Sequence, residues 1–109
     1  MTLKIGRIVH YVVSESDAES INRRRTTIGA IAQRIESETW PLGAQAHVGN
    51  PVRAGEVYPL VVTRVWGGTS ESLVNGQLLL DGTDVLWLTS VGYNADRVRG
   101  TWHWPHRES

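Results

Sequence analysis

The stretch "QLLLDGTDVLWL", Gln77 to Leu88, constrains the fold of this chain more than any other. Two apolar runs flank Asp81-Gly82-Thr83-Asp84, residues of the kind that fill tight turns. The pattern predicts a β-hairpin. An isolated hairpin is marginal in water, so it needs further strands or a helix to pack against. The rest of the C-terminal half supplies them. "YPLVVTRVW" reads as a strand from Leu60 to Trp66, "GGTSES" and "GYNADRVRG" read as connecting loops, and "TWHWP" reads as a short strand stopped by Pro105. Together they predict a β-meander over about residues 58–105.

The N-terminal half contributes one strand and one helix. In "KIGRIVHYVV", Ile8, His10 and Val12 share one face of a strand, and Val9, Tyr11 and Val13 share the other. Both faces are mostly apolar, which predicts a covered or central strand. The period then changes. In "SESDAESINRRRTTIGAIAQRIESETWP", Ile21, Ile28, Ile31, Ala32 and Ile35 recur at helical spacing, which predicts a helix over about residues 17–37. Ser16 and Glu19 match a capping box, Gly29 weakens the middle, and Pro41 marks an end. "LGAQAHVGNPVRAGEVYP" is loop-like, with room for a short strand at Ala46–Val48, and "AGE" resembles a turn leading into a barrel strand. One helix and about five strands predict a mainly β (α+β) fold. The expected architecture is a small SH3-like, partly open β-barrel with one α-helix inserted after the first strand. Residues 1–109 are read as a single domain. A barrel must partner its terminal strands, so "TWHW" is expected to pair near "RIVHYV".

The totals bound the function classes. The formal net charge is zero, so general nucleic-acid binding is not expected. A near-neutral chain permits homo-oligomerisation. No apolar run approaches the roughly 18 residues of a membrane span, and no signal peptide is read, so no membrane partner is expected. There is no cysteine, which excludes disulfides and thiolate metal sites and makes an intracellular location the default expectation.

Three strings carry a resemblance. The opening "IGRIVHYV", the central "NPV" and the closing "GTWHWP" resemble those of a group of small proteins encoded by bacteriophages of actinobacteria. The fuller run "INRRRT…IAQRI…WPLGAQAHVGNPV…VVTRVWG…VNGQLLLDGTDVLWLTS…GTWHWP" looks like one longer branch of that group, so the resemblance covers almost the whole chain. It implies a phage protein made in the host bacterial cytoplasm. It implies no catalytic residues, because the group has no settled activity.

Candidate ligand-binding residues concentrate in two segments. Trp102 and Trp104 share one face of the closing strand and His103 takes the other. The pair either plugs the barrel or forms a stacking platform for a flat ligand such as a nucleobase, and Trp66 is a further candidate for stacking. In "NRRR", Arg23, Arg24 and Arg25 fan out by about 100° each on a helix. Either two are solvated while one pairs with an acid such as Glu19, or they hold phosphate or carboxylate by bidentate contacts. The 11 basic residues include ten arginines, a bias that genomic base composition also produces. Arg97, Arg99 and Arg107 flank the tryptophans, and Arg beside aromatic rings suits a nucleotide. His10 is read as a hydrogen-bonded core residue, or as a ligand contact if the terminal strands are neighbours.

Other chemistry has little support. His103 and His106 straddle Pro105, and no acid stands at a familiar metal spacing, so neither a metal nor a cofactor is expected. Asp81 and Asp84 are explained as turn residues. No nucleophile elbow, P-loop or dinucleotide fingerprint is present. The resulting expectation is a non-enzymatic binding module that sequesters a small anionic, nucleotide-type ligand such as a host immune signal. The alternatives are a virion structural or decoration protein, which would place it in the particle, and a protein–protein inhibitor of a host factor.

Overall fold

The computed structural model describes residues 2–25 and 49–106. They form strand β1 (Ile8–Val12), helix α1 (Glu15–Arg24), then β2 (Val57–Val65), β3 (Val74–Leu79), β4 (Val85–Val91) and β5 (Trp102–His103). The protein is mainly β, with one antiparallel five-stranded sheet in the order β4-β3-β2-β1-β5. The sheet is not closed. An isolated parallel bridge between Tyr93 and Trp102 draws the segment after β4 toward β5, with Trp102 N–H donating to Gly92 at 2.9 Å and Asn94 N–H donating to Trp102 at 3.0 Å.

β1 is partnered on both edges, as its two apolar faces require. Val9 lies opposite Leu60 and Tyr11 opposite Tyr58 on one side, and Tyr11 lies opposite Trp102 on the other. The closing strand therefore pairs with "RIVHYV" as expected. Alternation does the rest: Val9, Tyr11 and Val13 turn inward to meet Leu60, Val62, Val74, Leu78, Val91 and Trp102. Ala18 and Ile21 seal this core from the helix, and Val52 from the loop before β2. Gly76 allows the strands to close over it, since a Cβ there would lie 2.7 Å from the Val61 carbonyl and 2.8 Å from the Leu60 side chain.

The helix boundaries differ from the expected 17–37. The N-cap is Ser14, and the capping box is Ser14–Asp17 rather than Ser16–Glu19. The Ser14 hydroxyl accepts from Asp17 N–H at 3.1 Å, and Asp17 accepts from Ser14 N–H at 3.3 Å. Asp17 wins because the inward-facing Tyr11 hydroxyl also donates to it, which ties the helix start to β1. At the other end Arg25 is already extended, because its side chain is drawn to Asp84. The remaining expected span, residues 26–37, lies outside the described residues, as do Gly29, Pro41 and the strand expected at Ala46–Val48.

The loop before β2 is pinned from both sides. Asn22 in the helix donates to the Val52 carbonyl at 2.7 Å and accepts from Val52 N–H at 2.8 Å. Asn50 donates its side-chain amide to Asp81 at 2.7 Å. The "NPV" string thus clamps helix, loop and hairpin together. The "AGE" turn forms as expected, with Gly55 at φ +91° and its N–H donating to Val13 at 2.8 Å. Among the described residues no helix is long and apolar enough to cross a membrane.

Candidate functional site

The alternation that buries Trp102 turns its neighbour His103 to the opposite face of the sheet. The register sets His103 directly across from His10 on β1, with Pro59 of β2 across from His10 on its other side. The two imidazoles meet edge to face, with centroids 5.8 Å apart and planes at 89°. They line an open cleft of about 440 Å³ together with Val57, Arg97 and His106. Arg97 arrives from the β4–β5 connection, where its own backbone adopts φ +59°. His106 comes from the segment beyond Pro105. Three imidazoles and a guanidinium therefore face one space, and among the described residues no carboxylate lines it.

Electrostatics sharpen this arrangement. His103 is 4% exposed and its Nδ1 is buried without a hydrogen-bond partner. Burial holds its imidazole below the ordinary histidine value, and the neighbouring charges of Arg97 and His10 act in the same direction. Near neutral pH the cleft therefore holds a neutral His103 beside the positive charge of Arg97. Among the described residues, no group of three or more histidine, cysteine or carboxylate side chains is placed to hold a metal ion.

The remaining predicted ligand-binding residues are engaged elsewhere. Trp102 is fully buried, its indole N–H donates to Ser72 at 3.1 Å, and it contacts Tyr93 and Trp104 edge to face. It is core, the first of the two readings its place in the closing strand allowed. Trp104 packs on that core, partly buried, and donates to Ser70 at 3.1 Å. Trp66 is half exposed, but it lies at the far end of β2, roughly 30 Å from Val57 at a strand's rise per residue. Its indole donates to Asn75 at 2.9 Å and its ring lies 3.9 Å beneath Arg64.

The arginine cluster also divides. Arg23 pairs with Glu19 at 3.6 Å in solvent. Arg24 and Arg25 both reach Asp84, at 3.4 and 2.8 Å, and the Arg25–Asp84 pair is almost wholly buried. These two anchor the helix to the hairpin. Arg99 pairs with Glu15 at the helix start, at 3.0 Å. Of the candidates read from sequence, the cleft unites His10 and His103. It also takes in Arg97, read from sequence as flanking the tryptophans and carried there by the β4–β5 connection, His106 from beyond Pro105, and Val57, which carried no sequence signal at all.

No family model matches the chain, and neither a curated protein nor a solved structure matches it.

Proposed function

We propose that this protein is a non-enzymatic, phage-encoded binding module that sequesters a small anionic ligand of nucleotide type, such as a host immune signal, in the His10–His103 cleft. The observation that carries this reading is the cleft's lining: three histidines and Arg97, with no opposing carboxylate among the described residues. Its volume of about 440 Å³ falls within the range of small-molecule sites, about 300–1,000 Å³. Binding would be stoichiometric. Arg97 would hold a phosphoryl group through its planar fork, the imidazoles would donate hydrogen bonds, and Val57 would offer the apolar contact. The phage resemblance supplies the setting, the host bacterial cytoplasm, and homo-oligomerisation would help to enclose the ligand.

The finer fold reading, a partly open SH3-like barrel, is supported by the uninterrupted antiparallel order and by the Tyr93–Trp102 bridge between the two ends of the sheet. The test is a thermal-shift screen against nucleotides, cyclic and linear oligonucleotide signals and ADP-ribose derivatives. A ligand at 100-fold over its dissociation constant adds about 2.7 kcal/mol, a shift on the order of 10 °C at this size. A silent panel would reject the reading.

One observation favours a second reading, a virion part or an inhibitor of a host protein. On the sheet's outer face, Trp87, Gln77, Val61 and Ile8 form one row, and Val85 sits across from Leu79. Trp87 is 62% and Ile8 52% exposed, which suits an interface anchor. Absence of the protein from purified particles, by mass spectrometry, would reject the virion role.

A further inference from the structure

The cleft's groups do more than sum their charges. His103 resists a proton for three reasons that are visible in the geometry. It is buried, it faces His10 at 5.8 Å, and it shares the cleft with Arg97. Among the described residues, the charged or titratable groups around His103 are His10 from β1, Arg97 from the β4–β5 connection, and His106 beyond β5. From β2 come Val57, which lines the cleft, and Pro59, across from His10 in the sheet; neither titrates. Among the described residues no acid lines the space: Glu56, beside Val57, is turned to Arg53 N–H and the Tyr58 hydroxyl. An anion entering the cleft therefore meets the charge of Arg97 and a buried His103 imidazole that resists a proton. It reverses the local field, and the imidazolium it favours offers donors at both ring nitrogens. One of those nitrogens, His103 Nδ1, is buried and lacks a partner.

We infer that the cleft takes up a doubly charged oxyanion, a phosphoryl or sulfate-like group, together with a proton on the His10–His103 pair. This rests on the reading of the cleft as an anion site and adds its regulation: the site is strong in mild acid and weak in mild base. Linkage makes the effect reciprocal, so the anion raises the histidine pKa by the factor through which the proton raises anion affinity.

The test titrates the whole protein with sodium sulfate while histidine ring signals are followed by NMR, at several values between about pH 5.5 and 8. Sulfate keeps its double charge across that range, so any pH dependence belongs to the protein. The expected result is a dissociation constant at least about 5-fold lower at the acid end, within the usual range of coupling, and a histidine titration displaced upward by sulfate. The His10→Gln variant should flatten the pH profile. The displacement of the His103 signal in the unmodified protein tests the same point without any substitution. Sulfate binding with one affinity at every pH would overturn the proton coupling and leave the anion site standing. Absence of binding at every pH would overturn both. Adenosine 5′-monophosphate, compared with sulfate at pH 7, separates the two sources of the group. At least tenfold tighter binding marks a nucleotide, and equal affinity marks a free oxyanion.

Discussion

At the scale of single residues, the most informative side chain is Asp84. As the last letter of "DGTD" it is a plain turn residue. In the fold it is buried and carries Arg25 at 2.8 Å and Arg24 at 3.4 Å from the far side of the chain. Removing one partner of a buried pair leaves the other charge uncompensated, at a cost of about 3–5 kcal/mol. Asp84→Ala is expected to lose that much in urea unfolding, and a loss under about 1 kcal/mol would show that the pair is not structural. Trp102→Ala is expected to lose a similar 3–5 kcal/mol, since a fully buried indole leaves a large cavity. The exposed Arg23–Glu19 pair should contribute almost nothing by the same measurement. Local sequence distinguishes poorly among such cases. "RRR" has one composition but three environments, and only the 59-residue separation between Arg25 and Asp84 explains which arginine is buried.

At the scale of elements, alternation was the dependable signal. It placed Val9, Tyr11 and Val13 inward, and it separated Trp102 from His103, because a period of two follows from strand geometry alone. The pairing of the closing strand with β1 was legible for a related reason, as two apolar strands need partners. The helix cap was less legible. Ser14 and Ser16 are both acceptable caps by composition, and the choice was made by a tertiary contact, Tyr11 to Asp17. Ser14→Ala is therefore expected to cost about 1 kcal/mol, while Ser16→Ala stays within about 0.5 kcal/mol. Denaturant midpoints for the two variants check the order. Gly76→Ala should cost more than either cap, about 1–3 kcal/mol, because the added Cβ meets the Val61 carbonyl and the strand must shift.

At the scale of the whole molecule, the cleft is a property of topology. Neither the His10–His103 pairing nor the approach of Arg97 and His106 follows from spacing in the chain. The β1–β5 register brings the first pair together, the β4–β5 connection brings Arg97, and the segment beyond Pro105 brings His106. The same topology gives the fold a pH signature. The folded value of His103 lies below the roughly 6.5 of the unfolded chain, so the unfolded state takes the proton first. Its contribution is complete above about pH 6.5 and is lost as pH falls through that value toward the folded one. The melting temperature should decline on that descent, and added sulfate should oppose the decline.

The measurement that tests the central claim most directly is isothermal calorimetry with the best nucleotide from the screen, on the unmodified protein, Arg97→Gln and Arg23→Ala. Arg97 is exposed on its loop, so its loss should spare the fold. The account predicts stoichiometric binding, weakened at least about tenfold by Arg97→Gln and unchanged by Arg23→Ala. Binding that survives Arg97→Gln at full strength would contradict it and move the site away from the cleft.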